Sequence, residues 1–127
     1  MKEAITTTAA PQAIGPYSQA VRAGDWVFLS GQIGLDPVTG TLVSGGVVAE
    51  AQQVLANLRA VLAAAGGSLG NVVRTTIYLV DLGDFTLVNE VYAAAFNAPF
   101  PARATVGVAA LPRGARVEID AIALVYG

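Results

Sequence analysis

The sequence predicts a single α+β domain in which a mixed β-sheet packs against two helices. Two stretches, 47–65 and 84–96, have the 3.6-residue apolar repeat of amphipathic helices. The stretches around them alternate with period two or are rich in β-branched residues, as strands are. A helix that links two such strands indicates a βαβ crossover. The 127 residues are expected to form one domain, because a chain of this length buries roughly two thirds of its unfolded surface.

The first predicted strand, at 2–7, is followed by a loop with an aromatic residue at its tip. Gly15 and Pro16 break regular structure there, and the proline ring fixes the backbone just before Tyr17. The side chain of Tyr17 either covers an edge of the core or lines a pocket. Its position in the sequence leaves both roles open.

The second predicted strand, at 25–35, begins with an almost continuous apolar run, which is typical of a central strand buried on both faces. Ser30 and Gly31 interrupt this run. A glycine inside a strand marks a β-bulge, the close approach of a ligand, or both. A turn at 36–40 then leads into a short hairpin arm at 42–43.

The two predicted helices are separated by a strand at 72–80. The helix at 47–65 carries an apolar stripe along one face and ends at a pair of glycines. The helix at 84–96 begins at Asp84, which we expect to cap it. Asn89 lies on the apolar side of this helix. Because a buried amide needs its hydrogen bonds met, Asn89 either holds a loop backbone or faces a site.

The C-terminal part of the chain brings an arginine and carboxylates into an apolar context. In two-residue steps, Arg103 and Thr105 share one face of a strand. After a turn at 111–114, the last strand places Glu118 and Asp120 on one face and a purely apolar set on the other. From the residues alone, Arg103 is either a solvated cation or a binding residue. Glu118 is either a site residue or half of a structural ion pair.

The residue inventory excludes several classes of mechanism. Histidine and cysteine are absent, which excludes disulfides, zinc sites built from Cys and His, and Ser-His or Cys-His nucleophiles. The net charge of −2, with seven basic residues, provides no cationic stripe for nucleic acid. No apolar run approaches the ~20 residues of a membrane span. We therefore expect no signal peptide, no membrane anchor and a cytoplasmic location.

Several segments, in order and spacing, resemble the Rid or YjgF group of reactive intermediate deaminases. The central match consists of Pro101-Ala102-Arg103, Val106, Leu111-Pro112 and Val117-Glu118-Ile119. Three further segments agree: Ile14-Gly15-Pro16-Tyr17-Ser18-Gln19-Ala20, Leu29-Ser30-Gly31-Gln32, and Val88-Asn89 followed by Tyr92. The resemblance extends over the whole chain. One departure is Thr105, which stands where many relatives carry cysteine.

This resemblance implies a chorismate-mutase-like fold, with a mixed sheet, two helices packed on one face, and homotrimers whose sites lie in clefts between subunits. The sequence agrees with such an assembly. A sheet with helices on one side must cover its other apolar face, and Ile122 and Leu124 lie on that side of the last strand. We therefore expect self-association as a closed homotrimer.

The resemblance also implies hydrolysis of enamine and imino acids, such as 2-aminoacrylate and its imine tautomer, to 2-keto acids and ammonia. No metal or cofactor is expected, since an imine carbon is already electrophilic. Arg103 is expected to bind the substrate carboxylate, and Glu118 to position or activate water and pass a proton to the leaving nitrogen. The other expected substrate-binding residues are Tyr17, Ser30, Gly31, Asn89 and Thr105.

Two other functions remain open at this point. The first is a non-catalytic module that binds carboxylate metabolites, because a fold and an arginine license binding but not turnover. The second is an RNA-cleaving inhibitor of translation, an activity historically attached to this family. The acidic charge balance and the missing histidine argue against the second function.

Overall fold

The computed structural model describes residues 1–127 and contains a six-stranded sheet and two α-helices. The strands are β1 (Lys2–Ile5), β2 (Ala20–Ala23), β3 (Trp26–Gln32), β4 (Val72–Leu79), β5 (Ala102–Gly107) and β6 (Val117–Leu124). The helices are α1 (Val47–Ala64) and α2 (Phe85–Ala95). The strand order is β1-β2-β3-β6-β4-β5. This arrangement confirms the predicted mixed α+β fold.

Both helices are crossover connections between parallel strands. β3 and β4 each pair antiparallel with β6, so they run parallel to each other on its two sides, and α1 connects them. β4 and β5 pair directly in parallel, and α2 connects them. The predicted βαβ crossover is therefore confirmed, and a second one follows it. Neither helix has the length and apolar character that crossing a membrane requires.

The core lies between the two helices and one face of the sheet. β6 buries alternate residues, as its sequence predicts, and α1 buries its apolar stripe against them. Full burial of each large aliphatic side chain contributes about 1.5–3 kcal/mol. Core residues include Val27, Leu29, Val54, Leu58, Leu62, Ile77, Leu79, Val117 and Ile119.

The other face of the sheet has no helix over it. Trp26 and Phe28 on β3 are 45% and 46% exposed, and Ile122 and Leu124 on β6 are half-buried beside them. These four residues form one apolar surface, called here the open face. Exposed apolar patches of this kind mark sites where other molecules or other copies bind.

Strand β2 lies in a region where the sequence predicted no strand. It pairs antiparallel with β3, from Ala20 opposite Leu29 to Ala23 opposite Trp26. The turn between them uses Gly24 in a left-handed conformation, with φ of 62°, where glycine has no steric penalty. Four residues are too few for a period-two pattern to stand out, which is why local sequence missed this strand.

The prediction that Asp84 caps the second helix is wrong. Asp84 has helical backbone angles and its side chain makes no capping hydrogen bond. Asp81 accepts a 2.8 Å hydrogen bond from the Gly83 amide instead, so it caps the short 3₁₀ turn that leads into α2. The predicted hairpin arm is present only as a single bridge between Leu35 and Leu42.

Candidate active site

The predicted site residues fall into two groups on opposite faces of the sheet. Glu118 on β6 pairs with Tyr78 of β4, and both are on the open side. Arg103 on β5 pairs with Thr75 of β4, which is fully buried on the helix side. Since neighbouring residues of a strand point to opposite faces and paired residues to the same face, Arg103 and Glu118 cannot meet within one chain.

The first group surrounds a cleft of about 470 Å³, called here the Glu118 cleft. Its walls are the loop that contains Tyr17, the end of β3 with Ser30 and Gly31, and the turn at Pro112 and Arg113. Tyr17 is 52% exposed and its hydroxyl accepts a 3.3 Å hydrogen bond from the Ile14 amide. Tyr17 therefore lines a pocket and does not cover an edge of the core.

Gly31 allows the Glu118 side chain to lie directly over the β3 backbone. The pairing of β3 with β6 skips a position between Leu29 and Gln32, which confirms the predicted bulge at Ser30-Gly31. A Cβ atom at Gly31 would lie 2.9 Å from the Glu118 Cδ atom and would overlap its Oε2 atom. The group that approaches this glycine closely is thus the carboxylate of Glu118.

The Ser30 side chain ties the Tyr17 loop to the sheet. Its hydroxyl donates a 2.6 Å hydrogen bond to the Ser18 carbonyl, and its amide donates to the Gln19 carbonyl at 3.0 Å. The hydroxyl hydrogen is therefore in use, which leaves only the hydroxyl oxygen to accept a hydrogen bond from a ligand. The predicted contact of Ser30 with substrate remains a prediction.

The electrostatic environment of Glu118 favours its protonated form. Partial burial raises the pKa of the Glu118 carboxyl above its ordinary value, and the negative charge of nearby Asp120 raises this pKa further. A carboxylate with a raised pKa accepts a proton more readily than a solvated one. Perturbed carboxyl groups in clefts are typical of acid–base sites.

The second group surrounds a cleft of about 440 Å³ beside α2, called here the Arg103 cleft. The Arg103 Nη1 atom donates a 2.8 Å hydrogen bond to Asn89 Oδ1. The Arg103 Cζ atom lies 5.0 Å from the centre of the Tyr92 ring and 5.6 Å from that of Phe85. Such cation–π contacts contribute about 0.5–1 kcal/mol at exposed sites. Arg103 is thus solvent-exposed but held in place.

The structure places Asn89 in the Arg103 cleft but leaves Thr105 outside both clefts. Asn89 accepts its hydrogen bond from Arg103, so it faces the site and not a loop backbone. Thr105 lies two residues along β5 on the same face as Arg103, yet it lines neither cleft. Its predicted contact with substrate also remains a prediction.

Buried polar side chains that the sequence did not single out hold the walls of the Glu118 cleft. Gln19 is 4% exposed; it accepts from the Thr7 amide at 2.7 Å and donates to the Pro11 carbonyl at 2.7 Å. Glu50 on α1 is 3% exposed and accepts from the Arg116 amide at 2.8 Å, just before β6. The only feature of the sequence that points to Gln19 is its place in the segment Ile14–Ala20, which supports the family resemblance.

The six-stranded mixed sheet, its two crossover helices and the two clefts define a small α+β domain. The Endoribonuclease L-PSP family model matches residues 7–125, so the chain belongs to this family, to which the Rid or YjgF group belongs. The resemblance predicted from the sequence is confirmed.

Named relatives cover nearly the whole chain. A mouse protein named 2-iminobutanoate/2-iminopropanoate deaminase is 56% identical over 124 residues, which are 98% of this chain and 92% of that protein. Protein DfrA of Myxococcus xanthus is 61% identical over 125 residues, covering 97% and 95% of the two chains. The crystal structure of RidA from an Antarctic Psychrobacter has a TM-score of 0.94 and 50% identity, covering 97% and 99%.

Proposed function

We propose that this protein is an imine deaminase that hydrolyses 2-imino acids, and the 2-aminoacrylate from which they form, to 2-keto acids and ammonia. The deaminase name of the mouse relative, 56% identical over nearly the whole chain, supports this assignment. The observation that carries it is the Arg103 cleft, in which one edge of a guanidinium is fixed by Asn89 and its remaining donors are free for a ligand.

Arg103 binds the substrate carboxylate in this proposal. Its face is packed near Tyr92, and only its Nη1 atom is bonded within the protein. A guanidinium presents five donors in a planar fork that matches a carboxylate. Such a charge-assisted pair is worth about 1.5–3 kcal/mol, so Arg103 orients the substrate without taking part in bond making.

Glu118 handles the protons of the reaction. Water attacks the electrophilic carbon of the protonated imine, and Glu118 accepts a proton from this water. Glu118 then passes this proton to the nitrogen of the resulting carbinolamine. As the C–N bond breaks and ammonia leaves, Glu118 takes up the hydroxyl proton and the C=O bond of the 2-keto acid forms; that proton finally leaves with ammonia as ammonium. A positioned acid–base group of this kind contributes ~10²- to 10⁴-fold to the rate. The raised pKa of Glu118 supports its role as proton acceptor.

The proposed active unit is a homotrimer. Arg103 and Glu118 are on opposite faces of one sheet, so the mechanism needs the Arg103 cleft of one subunit to meet the Glu118 cleft of another. The apolar open face, with Trp26 and Phe28 nearly half exposed, supports self-association. Light scattering at micromolar concentration tests this part, and a monomer under those conditions would refute it.

The activity is tested by generating 2-aminoacrylate with a serine-cleaving lyase and following pyruvate formation. Native protein is expected to speed the release of pyruvate. Replacing Arg103 with alanine is expected to lower kcat/KM about 10- to 100-fold, the loss of one charged hydrogen-bonded pair. Arg59→Ala, at an exposed arginine of α1, is the matched control. Equal rates for native protein and Arg103→Ala would remove the deaminase assignment.

Two further measurements on the same purified protein distinguish the deaminase from a carboxylate-binding module and from an RNA-cleaving protein. A carboxylate-binding module would bind a 2-keto acid in calorimetry without accelerating pyruvate formation. An RNA-cleaving protein would degrade RNA when purified free of nucleases, which the acidic charge balance argues against. We also propose a cytoplasmic location, as expected for a chain without cysteine, and cell fractionation tests it.

A further inference from the structure

A hydrogen-bonded pair of polar side chains lies on the open side of the sheet, next to Glu118 but outside both clefts. The Tyr78 hydroxyl donates a 2.8 Å hydrogen bond to Asp120 Oδ2. Both residues are half-buried, and neither lines the Glu118 cleft or the Arg103 cleft. The mechanism described above uses neither of them.

The strand register places this pair beside Glu118. Tyr78 is the residue of β4 directly opposite Glu118, and Asp120 is opposite Thr76. Asp120 follows Glu118 by two residues on the same face of β6, which separates them by about 7 Å along the strand. On its other side, Glu118 packs against the backbone at Gly31. The Glu118 side chain is therefore confined between β3 and the pair.

The pair sets the Asp120 carboxyl in place by a hydrogen bond from the Tyr78 hydroxyl. The hydrogen bond to Asp120 is the largest cause of the raised pKa of Tyr78, so the phenol remains a donor. Two carboxyl groups that share one face of a strand repel each other when both are ionised, and this repulsion adds to the effect of burial in raising the pKa of Glu118.

We propose that Tyr78 and Asp120 form a positioning pair that places a negative charge beside Glu118 and thereby strengthens Glu118 as the acceptor of the proton from the attacking water. This role rests on the proposed deaminase function. Asp120 does not touch the substrate; it acts through Glu118.

Another charged side chain on this face of the sheet is that of Arg74. Arg74 on β4 is opposite Ile122, so it lies beyond Asp120 as seen from Glu118. From β3 the neighbours are Ser30 and Gly31, which are uncharged, and from the N-terminal loop the neighbour is Tyr17. The turn after β5 contributes Arg113, a cation on the wall of the same cleft. The Arg113 Nη1 atom donates to the Gly40 carbonyl at 3.1 Å, which directs its guanidinium toward the neighbouring turn.

The test is a ¹³C NMR titration of the Glu118 carboxyl, assigned by its loss in Glu118→Gln. In Asp120→Asn, whose amide oxygen still accepts from Tyr78, the Glu118 midpoint is expected to move to lower pH. Tyr78→Phe removes the hydrogen bond that holds Asp120 in place. This variant is expected to shift the Glu118 midpoint in the same direction by a smaller amount. Asp25→Asn, in the exposed β2–β3 turn, is the matched control and should leave it unchanged.

An unchanged Glu118 midpoint in Asp120→Asn would overturn the proposal, and equal midpoints in native protein and Tyr78→Phe would remove Tyr78 from it. Because this titration needs no turnover, it gives its answer even if the deaminase assignment fails. In the pyruvate assay, Asp120→Asn is expected to move the acidic limb of the kcat/KM profile to lower pH and to lower its plateau. A shifted titration with an unshifted profile would show that Glu118 is not the proton acceptor.

Discussion

Replacing Gly31 with alanine would put a methyl group where the Glu118 carboxylate now lies. The new Cβ atom would be 2.9 Å from Glu118 Cδ, whereas ordinary contacts begin at 3.4 Å. Glu118 must therefore retreat by about 0.5 Å or more, and a misplacement on the order of 1 Å can cost ~10²-fold in rate. We expect kcat/KM in the pyruvate assay to fall about 10- to 100-fold.

The fold should survive this change. The φ angle of Gly31 is not in the left-handed region, so alanine is tolerated by the backbone. Overpacking typically costs 1–3 kcal/mol, and the half-buried Glu118 can swing aside, so we expect a loss of about 1 kcal/mol in the free energy of unfolding. Gly70→Ala is the matched control, because its Cβ atom would meet only Ser68 Oγ at 3.4 Å. A folded Gly31→Ala protein with native kcat/KM would refute the reasoning.

Three further substitutions test other parts of the site. Asn89→Ala frees one edge of Arg103 and is expected to raise KM about 10-fold through lost positioning, measured by initial rates; an unchanged KM would contradict this. Tyr92→Phe leaves the buried Thr75 hydroxyl without its 2.7 Å partner and is expected to lower the free energy of unfolding by about 1–3 kcal/mol in urea titrations. Glu118→Gln is expected to raise Tm at neutral pH. The pKa of Glu118 is raised above its ordinary value of 4.5. The native fold therefore loses stability as the pH rises from that ordinary value through the raised pKa of the folded protein. Calorimetry should find no difference in Tm between the variant and the native protein at a pH below 4.5. A higher Tm of the variant at every pH would count against the raised pKa.

The sequence predicts the elements of this fold better than their assembly. The alternation of Val117 and Ile119 with Glu118 assigns the two faces of β6 correctly, because one buried face imposes a period of two. Gly31 also indicates the bulge from local sequence alone, because a glycine inside a strand commonly marks a bulge. By contrast, β2 depends on its pairing with β3, and four residues hold too little pattern to reveal it.

The same distinction applies to the candidate site. The residue types Arg103 and Glu118 are identifiable from their motif, but the face that each one occupies is not. Those faces depend on the register of β5 and β6 against β4, where Thr75 is opposite Arg103 and Tyr78 is opposite Glu118. Register is a property of strands distant in sequence, so the chain read locally suggests one site where the structure has two separate clefts.

The placement of Arg103 and Glu118 on opposite sheet faces makes genetic complementation a consequence of the proposed trimer. A chain lacking the guanidinium and a chain lacking the carboxyl would each be strongly impaired alone. Mixed at random in one ring, they would rebuild intact sites at about one quarter of the interfaces, since each interface draws one group from each neighbour. Two loss-of-function alleles in one cell would then support growth that neither supports by itself.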